Sequence, residues 1–546
     1  MDRQSLLAFL LIGIIIVFYP WYMSLVAPVD TNTNTEYIVD QKADPLAADT
    51  PNYKESIKPQ DNKSLPSQTI NIKTNLYDLE LSNKNGGSFV SYSLYKYKDH
   101  NGNLVNLIDA LNSDNLTLGF ISVDGDQISL NRNWSTFNTP RSITVNNDKK
   151  TLKFSTVYQG KTLQKIFTFY PDKYNIDIDI VFDDPSSFIS RNQYTLGWSG
   201  GLPPTEKNTS NDFQFFEGFA SLGGEHMGTK PKKGKLSEEN QKGSTLWSAI
   251  KTKYFISAIV PEQAGIAARV ESELIEKRPI YSTEITQTTS STNIFTVYLG
   301  PLDYNNLKEF GVGLESNVDL GWALFRPIGQ LISWLLSKMY AIIPNYGLVV
   351  IVFAFLIKLL LNPLTVKTFE STRKMQSLAP EINKIKEKYK NDPQKMSRAQ
   401  MELYKSSGAN PMGGCLPMLI QMPILVSVFS IFRSKIEFRG APFFGWISDL
   451  SVPDTLVELG GFPINILPVL MGSTMFIQQK MMAAPNADAN QKTMMYVMNV
   501  FFLFLFYSFP SGLNLYYFVF NLLSIIQQKY LIPNPTTVGA GVTLKK

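Results

Sequence analysis

The chain has 546 residues, 44% of them hydrophobic and 18% charged, and its formal net charge of +5 is too diffuse to indicate a nucleic-acid partner. The single cysteine, Cys415, excludes an internal disulfide, so any extracytoplasmic domain must be held together by its core. The two histidines, His100 and His226, are predicted in separate polar loops, a pattern that indicates no metal centre.

The N-terminal residues 1–28 are predicted to form a membrane anchor. No charged residue occurs from Gln4 to Val29, a run that satisfies the roughly 20 apolar residues needed by a bilayer-spanning helix. Pro28 directly follows Ala27 and disfavours signal-peptide cleavage, so the anchor is interpreted as uncleaved. Residues 29–68, rich in Asp, Asn, Thr and Pro, lack a periodic apolar pattern and are predicted to be a flexible periplasmic linker.

Residues 69–304 have the alternating pattern of β-strands. Ile176, Ile178 and Ile180 alternate with polar residues, which is typical of a half-buried strand, and Gln159-Gly160 between two such runs predicts a hairpin. Many short strands without intervening helical patterns predict a large antiparallel β-sandwich.

Residues 305–344 are predicted to comprise a linker and an amphipathic helix from Asp319 to Lys338. Polar residues recur there at helical spacing, on the face opposite the large apolar residues. Such a helix can lie in the membrane interface, and the alternative is a helix packed on the β-domain. The polar residues are Asp319, Arg326, Gln330, Ser333 and Ser337, and the apolar ones are Trp322, Phe325, Trp334 and Leu335.

Residues 345–530 contain five more apolar stretches of spanning length or near it, which with the anchor predict six spans. The stretches are 346–366, 411–432, 464–477, 493–509 and 513–526. The segment from Lys367 to Met412 carries eight lysines and two arginines against five acidic residues, so it is predicted to be cytoplasmic. Both termini, including the short tail 531–546, then lie in the cytoplasm and the β-domain lies outside. Lys435 and Arg439 in the next outer loop oppose this orientation weakly.

Within the cytoplasmic segment, residues 367–410 are predicted to form a helical hairpin. Apolar residues at helical spacing run from Met375 to Tyr389, the sequence Asn-Asp-Pro interrupts them, and they resume from Met396 to Leu403. The lysine-rich outer faces of the hairpin either contact anionic headgroups or form a specific docking site.

Lys358 interrupts the second predicted span. A charge at that depth costs about 2.5 to 3.5 kcal/mol on insertion scales, and no Asp or Glu occurs within the six spans to pair with it. Lys358 lies about eight residues, or ~12 Å, from the cytoplasmic end of its span. One interpretation is a lysine whose amine reaches the headgroups. The other is a hydrated pocket open to the cytoplasm with Lys358 on its wall.

The other spans supply polar and pliable apolar side chains that suit the walls of such a pocket, although singly these residues more often serve helix packing. The polar ones are Gln421, Gln478, Gln479, Asn514, Tyr516, Tyr517, Asn521 and Ser524; the apolar ones are Met418, Met422, Met471, Met475, Phe429 and Phe520.

Four segments resemble the signatures of the YidC family of membrane protein insertases: "NPMGGCLPMLIQMPI", "APFFGWISDLS", "LPVLMGSTMFIQQKM" and "FPSGLNLYYFVFNLLSIIQQ". This resemblance covers residues 319–530. The segments "WSAIKTKYFISAIVP" and "YLGPLDY" also resemble the large periplasmic domain of the Gram-negative branch. The resemblance implies that the β-domain is a sandwich of the sugar-hydrolase accessory type without catalysis.

The resemblance also implies site residues. The family has an intramembrane arginine five residues before a proline, where this chain has Lys358 before Pro363. Lysine keeps the charge but not the bidentate donor geometry of arginine. By the same matching, Gln421, Tyr516 and Tyr517 fall at groove positions.

The function predicted from these observations is membrane protein insertion, alone or with the Sec translocon, through a hydrated, positively charged groove. Nascent membrane proteins are the expected clients, membrane lipids and the ribosome are further candidate partners, and the bacterial inner membrane is the expected location. No nucleotide-binding motif is present, so no use of ATP is expected. The chain is also predicted to have no enzymatic activity and no cofactor.

Two other classes of protein remain as alternatives. A small-solute transporter would need coupling carboxylates in its spans. A membrane-anchored carbohydrate enzyme would use aspartates of the β-domain such as Asp179, Asp183 and Asp184, but no acid–nucleophile pair is marked in the sequence.

Overall fold

The computed structural model describes residues 65–112, 114–136, 140–289, 293–321, 323–408, 416–482 and 489–531. The described residues up to 482 and from 499 to 531 belong to one compact unit, and residues 489–498 belong to another. The predicted anchor, most of the predicted linker and nearly all of the predicted tail lie outside the described residues.

The N-terminal part of the described chain is an all-β domain of nineteen strands, which confirms the predicted fold class of this region. The strands are β1 (Thr69–Lys73), β2 (Tyr77–Ser82), β3 (Ser88–Lys98), β4 (Leu104–Asn106), β5 (Thr117–Ser122), β6 (Gln127–Ser129), β7 (Ser135–Thr136), β8 (Ser142–Thr144), β9 (Lys150–Tyr158), β10 (Lys161–Phe169), β11 (Asn175–Phe182), β12 (Ile189–Trp198), β13 (Glu217–Leu222), β14 (Glu225–Gly228), β15 (Ser237–Lys251), β16 (Phe255–Pro261), β17 (Gly265–Ile275), β18 (Arg278–Thr288) and β19 (Ile294–Pro301).

These strands form two sheets. The smaller has the order β4-β3-β2-β1-β8, and the larger runs β6-β5-β12-β18-β17-β15-β16-β19-β11-β10-β9-β7, with β13 beside β15 and β14 beside β13. Pairing is antiparallel as predicted except between β1 and β8, which are parallel. The two sheets share one core, in which Phe89 of β3 meets Trp198 of β12 edge to face at 5.9 Å.

The strand patterns of the sequence are reproduced in this domain. Ile176, Ile178 and Ile180 of β11 are fully buried, as alternation predicts. Gln159 and Gly160 join β9 to β10 with φ of 48° and 78°, the geometry of a two-residue hairpin turn. His226, predicted in a loop, instead lies in β14, where its ring stacks on Phe219.

Lys165 of β10 is a fully buried cation in the core of this domain. Its amine donates hydrogen bonds to the carbonyl oxygens of Asn85, at 2.7 Å, and Leu116, at 2.6 Å, and lies 5.5 Å from the centre of the Trp134 ring. Burial lowers the pKa of Lys165 to about 7. Lys165 therefore ties two loop carbonyls to the sheet and adds a titratable group to the core.

The stability of the β-domain should depend on pH through Lys165. Above pH 7 the folded chain releases a proton that the unfolded chain keeps until about pH 10.4, so this group makes folding more favourable as pH rises through that window. The free energy of unfolding of the wild type, relative to Lys165→Met, should rise by up to ~1.4 kcal/mol per pH unit.

The measurement is urea unfolding of the full chain in detergent, followed by tryptophan fluorescence, from about pH 7.5 to about pH 9.5. Lys153→Met, which removes an exposed lysine of β9, is the control and should leave the pH profile of the wild type unchanged. If the free energy of unfolding changed with pH in the same way for the wild type and Lys165→Met, the lowered pKa of Lys165 would be contradicted.

The C-terminal part of the described chain is helical and is preceded by two short helices. The helices are α1 (Thr209–Asp212), α2 (Tyr304–Lys308), α3 (Arg326–Ile342), α4 (Tyr346–Leu360), α5 (Asn362–Ser377), α6 (Ala379–Lys388), α7 (Pro393–Ser406), α8 (Leu416–Ser434), α9 (Ile466–Met482), α10 (Ala489–Tyr507) and α11 (Ser511–Ile526). A π-helical turn, Gln527–Leu531, follows α11. The core of the bundle contains the buried sides of α4, α8 and α11.

The predicted span 346–366 is not one straight helix. Helix α4 ends at Leu360 and α5 begins at Asn362, and the two are bent by 59°. Pro363, in the first turn of α5, has no N–H to continue the hydrogen-bond ladder of α4, which accounts for the break. In the part of the chain that the structure describes, no helix by itself is long and apolar enough to cross a bilayer, and the bent pair α4–α5 passes that test together.

The predicted amphipathic helix from Asp319 to Lys338 is also shifted. Helix α3 begins only at Arg326, after a short turn, and continues to Ile342. Ile332, Leu336 and Met339 pack into the bundle core, so this face of the helix packs on the bundle. Its exposed side chains include the large apolar residues Leu331, Trp334 and Ile342.

Two charged side chains in the loop after α8 connect the bundle to other elements. Lys435 donates hydrogen bonds to Ser333 and Ser337 of α3, both at 3.1 Å, and pairs with Glu437. Arg439 contacts Glu206 of the β-domain at 2.7 Å and donates to the carbonyl oxygen of Lys98. Two serines of the predicted polar face of α3 thus serve an internal contact.

The predicted cytoplasmic hairpin 367–410 begins within α5, and two shorter helices follow, so the apolar run from Met375 to Tyr389 is divided at Leu378 instead of forming one helix. Helix α6 ends at Lys388 and α7 begins at Pro393, and the Asp392 side chain accepts a hydrogen bond from the backbone N–H of Lys395 to cap α7. The predicted break at Asn-Asp-Pro therefore coincides with a helix boundary.

The loop between α8 and α9 contains a hairpin for which the sequence offered no prediction. Strands β20 (Thr455–Leu459) and β21 (Phe462–Asn465) pair antiparallel, and Gly460-Gly461 forms their turn. Helix α9 therefore begins at Ile466, two residues later than the predicted span.

Candidate functional site

Lys358 lies near the end of α4 and is almost completely buried, with 7% of its surface exposed. Its amine donates a hydrogen bond of 2.7 Å to the hydroxyl of Ser524 on α11. The same nitrogen lies 5.0 Å from the centre of the Phe520 ring and 5.9 Å from that of Phe369. One hydroxyl and two aromatic rings therefore lie around the cation. The rings stabilise it, because aromatic faces attract positive charge.

A layer of neutral polar side chains lies next to Lys358, at the bend between α4 and α5. The amide nitrogen of Gln527 donates to Thr365 at 3.1 Å and to Asn362, and the Thr365 hydroxyl donates to the carbonyl oxygen of Asn362 at 3.0 Å. Gln527 and Thr365 are buried. These bonds join the start of α5 to the end of α11 and hold the bend in place.

Tyr516 and Tyr517 lie on α11, two turns before Ser524. The Tyr516 ring is fully buried against Phe353, at 5.7 Å, and Phe520, at 5.9 Å. Neither tyrosine hydroxyl has a hydrogen-bond partner among the described residues, although both oxygens are buried. A buried hydroxyl without a partner is costly, so these two groups can accept or donate a bond to a polar guest.

The structure brings together part of the residue set taken from the sequence. Residues 516, 520 and 524 repeat every four positions on α11, so Tyr516 and Phe520 share a face with Ser524, beside Lys358. Gln421 lies on α8, but its side chain is outside the described part of the structure.

Other polar residues of that set serve helix packing instead. Asn514 donates to the backbone carbonyls of Phe506 and Phe509 at the α10–α11 turn, and Gln479 accepts a bond from Asn499. The interpretation of these two as packing residues is therefore the better one.

Sequence reasoning missed four residues that complete the arrangement around Lys358. They are Asn362, Thr365, Phe369 and Gln527. The first two belong to the "NPLT" motif and the last to "QQK", so the motifs were visible, but the sequence does not show that they meet across two helices.

The aspartates considered for a carbohydrate enzyme have local roles. The carboxylate of Asp184 accepts bonds from Lys161, at 3.0 Å, and from the Ser186 hydroxyl, and the bond from Lys161 lowers its pKa. Asp179 lies within β11, where burial raises its pKa. Neither arrangement resembles an acid paired with a nucleophile.

An all-β domain followed by a helical bundle with a buried cation is the architecture expected of a membrane protein insertase with a periplasmic domain, and comparison with known families supports this expectation. Residues 69–335 match the family described as YidC periplasmic domain, and residues 338–536 match the family described as 60Kd inner membrane protein. The chain belongs to the YidC family of membrane protein insertases.

Relatives extend over nearly the whole chain. A protein named membrane protein insertase YidC from Chlorobaculum parvum is 34% identical, covering 97% of this chain and 94% of that protein. One of the same name from Syntrophus aciditrophicus is 32% identical over 97% of this chain and 99% of its own length. A solved structure of an active YidC insertase shows 18% identity and a TM-score of 0.37, covering 85% of this chain and 92% of that one.

The contact between Lys358 and Ser524 can be tested by a double-mutant cycle. Ser524→Ala should destabilise the bundle by about 1–3 kcal/mol, because it leaves a buried charged donor without its acceptor. In a Lys358→Leu background the same substitution should cost much less, since no charge remains to be satisfied.

Unfolding by SDS in mixed micelles gives the four free energies. Ser473→Ala, which removes an exposed hydroxyl on α9, is the matched control. It should change the free energy of unfolding by the same amount in the wild type and in Lys358→Leu. Equal costs for Ser524→Ala in both backgrounds would show that the two side chains are not coupled.

Proposed function

We propose that this chain inserts membrane proteins, and that Lys358 attracts the polar outer segment of the client into the bundle. The observation that carries this proposal is a buried ammonium group whose hydrogen-bond acceptor among the described residues is one neutral hydroxyl. Lysine has three N–H donors. The amine therefore keeps donor capacity and its full charge for a carboxylate that a client brings.

The surroundings of Lys358 suit a guest of mixed character. The rings of Phe520 and Tyr516 supply apolar surface, while the hydroxyls of Tyr516 and Tyr517 and the side chain of Gln421 supply polar contacts to the same guest. A wet groove at this point would shorten the low-dielectric distance that polar groups of the client must cross, which lowers the cost of their desolvation. The apolar helix of the client would then leave sideways into lipid.

The proposed topology has six spans, cytoplasmic termini and the helical hairpin 367–410 on the cytoplasmic side. The basic residues of the outer loop, which oppose this orientation, have another role, because Lys435 pairs with Glu437 and Arg439 with Glu206. Helix α3 lies in the outer membrane interface with Trp334 and Leu331 toward lipid, which their exposure supports.

The proposed partners are nascent membrane proteins and membrane lipids, with the Sec translocon and the ribosome as candidates for assembly. The basic outer faces of α6 and α7 are the described surface best suited to a ribosome or to anionic headgroups. Small-solute transport is not supported, because the relatives are named insertases.

The proposal predicts how Lys358 variants insert a single-span client with an acidic outer tail. In liposomes with the purified protein, Lys358→Ala should lower the initial insertion rate about fivefold, equivalent to ~1 kcal/mol of lost attraction. Lys358→Arg should retain insertion because the charge is retained.

The controls separate charge from general damage. Lys480→Ala, which removes an exposed lysine at the end of α9, should insert the client at the wild-type rate, and so should Lys358→Ala with a client whose outer tail is neutral. Equal insertion by all variants would leave the insertase function standing but remove the role of Lys358, while no insertion above empty liposomes would overturn the function.

A further inference from the structure

The hairpin β20–β21 exposes large apolar side chains on one face. Leu459 is 63% exposed and Phe462 is 59% exposed, and the two are cross-strand partners, so their side chains lie on the same face. Val457 and its partner Ile464 continue this face toward the base of the hairpin. Glu458 lies on the opposite face with Leu456, because successive strand residues alternate. The hairpin therefore carries its single charge, Glu458, on one face and only apolar side chains at residues 457, 459, 462 and 464 of the other.

The base of the hairpin is fixed by hydrogen bonds. The buried carboxylate of Asp454 accepts bonds from the Trp446 indole, at 3.0 Å, and from the backbone N–H groups of Ile466 and Leu467, which caps α9. The Asn465 amide donates to the carbonyl oxygen of Tyr507 at 2.7 Å. Such anchoring holds the apolar face in one orientation.

The hairpin lies at the end of the bundle that meets the periplasmic domain. Arg433, near the end of α8, donates to Gln214 of that domain at 2.9 Å, and Arg439 contacts Glu206. The chain then forms the hairpin and enters α9 directly at Ile466. In the proposed topology, on which this inference rests, the hairpin is consequently at the level of the outer leaflet.

The charge and the neighbouring surfaces favour lipid as the occupant of this face. No lysine or arginine occurs from Gly440 to Gln479, so attraction to anionic headgroups does not drive the contact. Phe462 stacks on Tyr507 at the end of α10, and Phe504, one turn earlier on the same helix, is 82% exposed and apolar. The apolar face of the hairpin thus continues a surface that a membrane helix presents to lipid.

We propose that the hairpin β20–β21 is a membrane-interface anchor whose Leu459–Phe462 face enters the outer leaflet. Amphipathic interfacial segments sit about 5–10 Å into the boundary between headgroups and acyl chains. Glu458, on the other face, remains in water. The anchor fixes the height of the α9 N-terminus relative to the bilayer through Asp454, and its partner is a lipid surface and not a second protein.

Site-directed spin labelling tests this placement. Single cysteines replace Leu459 or Glu458 in a Cys415→Ser background of the full chain, reconstituted in vesicles of phosphatidylethanolamine and phosphatidylglycerol. Both positions are exposed, so neither substitution removes a packed side chain. Collision of the nitroxide with oxygen, which concentrates in lipid, is compared with collision with a water-soluble nickel chelate.

The expected result is a face-dependent difference within one hairpin. The label at Leu459→Cys should collide preferentially with oxygen, like a lipid reference at Phe504→Cys, and the label at Glu458→Cys should collide preferentially with the nickel chelate, like a water reference at Lys149→Cys. Preferential collision with nickel at both hairpin positions would overturn the proposal. Shielding of the Leu459→Cys label from both reagents would overturn it as well, because it would show a protein partner on this face.

Discussion

The buried ammonium group of Lys358 is the constraint on which the helical part of the structure depends. A cation in an apolar bundle must be compensated, and here Ser524 and two aromatic faces do this. Phe369 is eleven residues further along the chain, a separation of about 16 Å along a straight helix. The 59° bend between α4 and α5 shortens that separation and brings Phe369 to Lys358. The geometry of the site therefore depends on the break at Leu361.

A second consequence concerns charges at the outer edge of the bundle. Basic residues there count against the topology when only their number is considered. The structure gives two of them specific partners, because Arg439 reaches a carboxylate and two carbonyl oxygens of the β-domain. A basic residue in a loop can therefore serve a contact with another domain instead of setting the membrane orientation. The structure distinguishes these two roles, whereas a count of charges does not.

The sequence predicted those features that depend on local pattern. Alternation at Ile176 and Ile178 and the turn at Gln159-Gly160 follow from strand and turn geometry, so they could be read directly. Two predicted boundaries were wrong. Helix α3 begins at Arg326 and not at Asp319, and the predicted span 346–366 is broken before Asn362. The apolar periodicity of the sequence continues across both positions and therefore does not mark them. The partnership of Lys358 with Ser524, 166 residues apart, depends on helix packing that periodicity does not encode.

The choice of lysine at position 358 agrees with this packing. Arginine presents five N–H donors in a rigid fork, whereas lysine presents three on a flexible stem. Around Lys358 the described acceptor is one hydroxyl, and the neighbouring amide and hydroxyl groups of Gln527 and Thr365 already bond to one another. An arginine would leave more donors unsatisfied unless a client or water supplied acceptors. A lysine keeps the charge with fewer donors to satisfy, which fits a site that must be stable when it is empty and still attract an acidic segment.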